Sequence, residues 1–164
     1  MKLIVMSDSH GDLESVKAVS EISADAIFHC GDSELSFEDS LLTNMHKVRG
    51  NCDFDSAFPS SVVVEVKGTT ILAVHGHEHD VKGSALPLLY AAQECGADIV
   101  LFGHSHLYGA EMKDGILFLN PGSTTQPRGG NQPTYAEIQW GTVNTVTFKN
   151  MEHETVESYD MKKD

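Results

Sequence analysis

The chain has 164 residues, 40% hydrophobic and 21% charged. That is long enough for one domain with a real core, with neither the polarity of a disordered chain nor the composition of a membrane protein. Its formal net charge of −13 repels nucleic-acid backbones and anionic lipid, and no Lys/Arg cluster offsets it. Cys30, Cys52 and Cys95 form no C-x-x-C pair, which points to a reducing, cytoplasmic setting and away from a disulfide framework.

Residues 2–7 read as a buried strand. The four apolar residues before Ser7 are too few for an export signal, and no run approaches membrane-spanning length. With Asp12 as N-cap, Leu13, Val16, Val19 and Ile22 recur near the helical period and predict a helix to about Ser23. Residues 26–30 read as a second strand closed by Gly31-Asp32, which completes a βαβ unit with parallel strands. Residues 35–44 read as a short helix or loop, and 46–49 as a third strand closed by Gly50-Asn51. Beyond Pro59 the pattern turns to β. Residues 62–66 and 70–74 predict a hairpin, 84–96 a helix and 98–102 a strand. Two further hairpins are expected, 107–112 with 116–119 and 134–140 with 143–149, and the charged tail from Met151 reads as a segment that frays. An α/β half followed by a β-rich half suggests two packed sheets with helices outside.

The chemistry lies where the strands stop. Their ends carry Asp8-Ser9-His10, Gly31-Asp32, Gly50-Asn51, His75-Gly76-His77 and Gly103-His104-Ser105-His106. Each offers an oxygen or nitrogen ligand beside a glycine, which can turn the backbone sharply without a Cβ clash. In parallel α/β sheets ligands bind outside the carboxyl ends of strands. Five such ends can therefore share one crevice and form a metal site, where Asp-x-His or His-x-His alone would be ordinary turn chemistry. No G-x-S-x-G elbow supports a serine hydrolase.

The series D-x-H, G-D, G-N, H-G-H and G-H-x-H resembles the calcineurin-like metallophosphoesterase superfamily. Gly50-Asn51-Cys52-Asp53, and Asn120-Pro121-Gly122-Ser123 followed by Pro127-Arg128, are similar to its small YfcE-like phosphodiesterase branch, related in fold to the retromer subunit Vps29. The resemblance runs over roughly residues 2–149. It implies an α/β fold, a four-layer α-β-β-α sandwich of two mixed sheets flanked by helices, with 1–164 as a single metallophosphoesterase domain. It also implies two divalent metal ions. Asp8, His10, Asp32 and His106 would hold the first, and Asp32, Asn51, His75 and His104 the second, with Asp32 shared.

Mixed imidazole, carboxylate and amide donors suit Mn, Fe, Ni, Zn or Co, and similar enzymes point to Mn2+. The implied activity is hydrolysis of a small phosphate ester, a diester before a monoester, by a metal-bridging hydroxide. The alternative is a protein-binding scaffold of the Vps29 type, with the ligand set complete here. Neither nucleic acid nor membrane is an expected partner, and homo-oligomerisation is left open.

Cys52 stands where many phosphatases of the superfamily have a histidine that protonates the leaving group. A thiol is a poor substitute, so activated esters are the expected substrates. His77 and Arg128 are candidates for contacting substrate phosphate, with a loop-pinning role the other reading for Arg128. Asp53 reads as a turn residue, His29 as a packed core residue, and Glu78 and His79 as solvated. Asn120-Pro121-Gly122-Ser123 reads as a structural turn, and His46 and His153 belong to no cluster.

Overall fold

A computed structural model describes residues 1–162. Strand β1 (Lys2–Met6) alternates its side chains between two environments. Leu3 and Val5 enter one apolar cluster, while Ile4 and Met6 enter another. The alternation recurs in β5 (Thr69–Val74), β6 (Ile99–Leu101) and β8 (Ile116–Asn120). There Ile71, Ala73, Ile99, Leu101, Leu117 and Leu119 share the cluster of Leu3 and Val5, and Leu72, Val74, Val100, Ile116 and Phe118 face a third. A period of two with both faces apolar is what a strand buried between layers requires.

The first sheet adds β2 (Ala26–His29), β3 (Met45–Lys47), β9 (Thr134–Gln139), β10 (Thr145–Asn150) and β11 (Thr155–Asp160). Its order is β11-β10-β9-β1-β2-β3. β1, β2 and β3 run parallel, while β9 pairs antiparallel with β1 and β10. The second sheet adds β4 (Ser61–Val66) and β7 (Gly109–Lys113), in the order β4-β5-β6-β8-β7, and is also mixed. Helix α1 (Leu13–Ser20) lays Val16 and Val19 on the outer face of the first sheet, and α2 (Leu86–Cys95) lays Leu88, Leu89 and Ala92 on that of the second. The four layers follow the expected α-β-β-α order.

Some elements differ from the sequence reading. α1 stops at Ser20, three residues early, although Ile22 still packs beside Val19 on the same cluster. Residues 40–42 form a 3-10 turn begun by the Asp39 side chain on the Leu41 N–H. β3 ends at Lys47, so Asn51 sits on a loop and not directly at a strand end. The tail does not simply fray: β11 pairs antiparallel with β10 as an edge strand. Val156 is its one partly buried side chain before Met161, so backbone hydrogen bonds define the strand and leave no hydrophobic alternation to read.

Phe148 is fully buried where the two sheets meet, against Tyr108 with ring centroids 4.6 Å apart. Phe148→Ala is expected to lower unfolding free energy by about 3–5 kcal/mol, measured by urea denaturation.

Candidate metal centre

The two parallel strand sets end on the same side of the sandwich. β1 and β2 deliver Asp8, His10 and Asp32 from the first sheet, while β5 and β6 deliver His75, His104 and His106 from the second. The turns are sharp: Gly11, Gly31 and Gly76 take positive φ beside the ligands, as expected, and several ligand residues do so themselves. Asp8, His10, Asp32, His104 and His106 all have positive φ, between 46° and 72°. Such conformations cost of order 1–3 kcal/mol each for non-glycine residues and persist where surrounding contacts over-determine them. Glycine serves a different purpose than expected at two of these turns. A Cβ on Gly50 would overlap the Asp32 carboxylate, and one on Gly103 would stand 2.5 Å from Asp8 Oδ2.

Those contacts are explicit. Ser7 Oγ donates to Asp8 Oδ2 (2.5 Å), as does the His104 N–H (3.1 Å). Ser123 Oγ donates to the Asp8 carbonyl (2.7 Å), and Asn120 Nδ2 donates to the Gly103 carbonyl (3.1 Å) and Ser105 Oγ (2.9 Å). The 120–123 turn is thus structural, as read from the sequence. The Asp53 carboxylate receives the N–H groups of Asp32 (2.9 Å), Glu34 (2.9 Å) and Gly50 (2.7 Å), which locks the Asp32 and Asn51 loops together. His29 is buried, with Nε2 at 2.8 Å from Ser9 Oγ and Nδ1 accepting from the Gly31 N–H. Burial pushes its pKa down to about 4.

The imidazoles are held in one tautomer. His75 Nδ1 donates to the Cys30 carbonyl (2.7 Å) and His106 Nδ1 to the Gln126 carbonyl (2.6 Å), while His10 Nδ1 donates to Glu34 Oε1 (2.8 Å). Neutral rings so fixed turn three Nε2 lone pairs inward. They meet only other acceptors. Nε2 of His10 and His106 are 3.3 Å apart. Nε2 of His75 lies 3.0 Å from Asn51 Oδ1 and 3.1 Å from Asp32 Oδ2. Asp8 Oδ1 is buried and makes no hydrogen bond, with Nε2 of His106 at 3.1 Å and those of His10 and His75 at 3.8 Å each.

Among the described residues three groups of three potential ligands result, each with its ligand atoms within 4.8 Å of one another: the overlapping Asp8-His10-His106 and Asp8-Asp32-His75, and the more exposed His10-Glu34-Cys52. Asp8 is common to the first two, while Asp32 Oδ1 accepts the Cys52 N–H (2.8 Å). A carboxylate oxygen without a donor and imidazole lone pairs facing acceptors fit divalent cations. The His104 ring borders the second group, 5.1 Å from the His75 ring, and His77 lies beside both. Arg128 is exposed and reaches the centre through its backbone, whose N–H donates to the His106 carbonyl (3.1 Å). Glu34 and Ser7 are contributors that sequence reasoning missed. Glu34 meets His10 only because Asp32 and Glu34 both adopt left-handed backbone, and no periodicity signals such a turn.

Burial alone would raise the Asp8 pKa, but its neighbours His106, His75 and Ser7 outweigh that and hold it below the ordinary value. Asp32, under the same opposition between burial and His75, falls to about 2. Burial works against a charge on His75, but Asp32 and Asp8 raise its pKa. Contact with Asp8 raises that of His106.

Residues 1–142 match the calcineurin-like phosphoesterase superfamily domain. YsnB of Bacillus subtilis (strain 168), a probable metallophosphoesterase, is 40% identical over 139 residues, 83% of this chain and 82% of its own. The phosphodiesterase YfcE of Escherichia coli (strain K12) is 28% identical across 92% of this chain and 94% of its own. A crystal structure of a predicted phosphoesterase from Streptococcus pneumoniae TIGR4 superposes with a TM-score of 0.93 at 38% identity, covering 98% of this chain and 97% of that one.

In metal-free protein, His75 and His106 should titrate above 6.5, since a raised folded pKa marks stabilisation present at low pH and lost as pH rises through it. Asp8→Asn should move both downward. Histidine NMR titrations measure this, and unshifted resonances in the variant would contradict the assigned coupling.

Proposed function

The chain belongs to the calcineurin-like phosphoesterase superfamily, and on that premise we propose that it is a dinuclear metal-dependent phosphodiesterase acting on a small phosphate ester. The observation that carries the reading is the buried, undonated Asp8 Oδ1 surrounded by the Nε2 atoms of His10, His75 and His106. Asp8, His10 and His106 would hold one cation. Asp32, Asn51 and His75, with His104 at the edge, would hold the other, and the Asp8 and Asp32 carboxylates would offset the positive charge between them. Two bound divalent ions would supply Lewis acidity toward the phosphoryl oxygens and an activated water. Mn2+ is the proposed ion, and the three unpaired thiols support a reducing, cytoplasmic setting.

The protein's own groups do the rest. Glu34, Cys30 and Gln126 fix the imidazole orientations, the kind of outer contact whose loss typically costs 10–100-fold in metal affinity or activity. His77, beside the His75 and His104 rings, and Arg128, next to His106, are the proposed contacts for nonbridging phosphate oxygens. Cys52 is exposed, and its pKa is raised by its surroundings and by the Asp32 charge. At neutral pH it is a protonated thiol of little acid strength, which supports a preference for leaving groups that depart without a proton.

Dialysis against a chelator should abolish hydrolysis of bis-p-nitrophenyl phosphate, and Mn2+ should restore it to wild type but not to Asp32→Asn. An undiminished rate after chelation overturns the reading. A metal-loaded protein that cleaves neither diester nor monoester would transfer it to a binding scaffold.

A further inference from the structure

We propose that Arg49 is the specificity residue of a leaving-group subsite beside the metal centre, built for a substituent that carries an anionic group, carboxylate or phosphate. The proposal rests on the phosphoesterase reading above. The sequence holds 24 acidic residues and two arginines, Arg49 and Arg128. In so acidic a chain a guanidinium has many carboxylates to choose from. Among the described residues, however, neither arginine has a carboxylate oxygen within 4.0 Å, and the ion pairs formed use lysine and histidine instead.

Arg49 is half-buried and well anchored. Its backbone N–H donates to the Pro59 carbonyl at 2.8 Å. Its Nε and Nη2 both reach a single oxygen, the Asp53 carbonyl, at 3.4 Å. Those contacts are long and leave most of a five-donor fork unspent. A planar fork with free donors matches a carboxylate or phosphate bidentately.

The fork borders a cavity of about 390 Å³ that Asn51 and His77 connect to the metal centre, with Phe58 and Ser60 also in its wall. Asn51 Oδ1 is 3.0 Å from His75 Nε2, so the cavity begins where the second ligand group ends. Phe58, only 3% exposed, is packed in the core edge-on to Phe37 and fixes the wall from behind. Two carboxylates also line the space, and neither pairs with the guanidinium. Asp53 is committed to three backbone N–H donors. Glu78 points to the rim, 60% exposed and 3.6 Å from His77 Nε2. Asp55, which feels the Arg49 charge from beyond ion-pair distance, is taken up by Ser36 and the Phe37 and Ala57 N–H groups. Arg128 lies on the opposite flank, next to His106, where solvent screens it. A diester across the centre thus meets a half-buried, anchored cation on one side and an exposed one on the other, and the anchored one discriminates.

The test measures binding, so it does not depend on turnover. Calorimetry on the Mn2+-loaded protein compares 4-carboxybenzylphosphonate with its carboxamide isostere. A bisphosphonate with the second group at the same position separates phosphate from carboxylate as the recognised anion. Wild type should bind at least one anionic probe about 10-fold or more tighter than the carboxamide, the range of a charge-assisted hydrogen bond. Arg49→Gln should bring that ratio to about 1, and Arg49→Lys should fall between, with circular dichroism confirming folded variants. No preference in wild type, no binding of any probe, or a preference that survives in Arg49→Gln overturns the subsite. Bis-p-nitrophenyl phosphate hydrolysis is assayed alongside. A wild type that hydrolyses no ester yet shows the preference retains the subsite and loses the phosphoesterase reading. One that hydrolyses the diester without the preference does the reverse.

Discussion

Acceptors facing acceptors at close range are the constraint around which this fold is organised. Backbone carbonyls and the Glu34 carboxylate take the Nδ1 protons of His10, His75 and His106, so their Nε2 lone pairs point at one another, at Asn51 and at the Asp8 and Asp32 carboxylates. Such an arrangement inside a protein is repulsive unless positive charge stands within it. Protons can supply that charge on imidazole, as the raised pKa values of His75 and His106 indicate. Divalent cations supply more of it by accepting the same lone pairs that a proton would occupy.

The remainder of the chain holds that arrangement in place. Two sheets share a buried layer of Leu, Val, Ile and Phe side chains, and each ends its parallel strands on the same side. The stability of that layer supports five left-handed residues at the ligand turns. Asp53, Ser7, Ser123 and Asn120 contribute the polar contacts that leave those turns no alternative. Packing and polar contacts thus stabilise the strain, and the strain aims the ligands.

Much of this was legible in the sequence, for identifiable reasons. Leu3-Ile4-Val5-Met6 and Ile99-Val100-Leu101 are apolar on both faces, which marks strands between layers, and the ligand residues follow such runs closely. Asp39 and β11 were less legible. A 3-10 turn rests on one side-chain cap, and β11 is an edge strand held by backbone pairing. Within the centre, the resemblance names Asp32 as the shared ligand, and the structure adds Asp8 as a carboxylate within reach of both histidine groups. Asp8 is reached from both sides only because the His75 and His106 loops converge on it from the second sheet. Glu34 and Arg49 were invisible for the same reason, since their roles arise from tertiary geometry and not from spacing.

The account stands most directly on where cations would sit. Crystals grown with Mn2+ and measured at the manganese absorption edge should give two anomalous peaks roughly 3.5–4 Å apart. One should touch Asp8, His10 and His106, and the other Asp32, Asn51 and His75. Peaks confined to surface carboxylates, or none at saturating Mn2+, would contradict the reading of these facing acceptors as a metal centre.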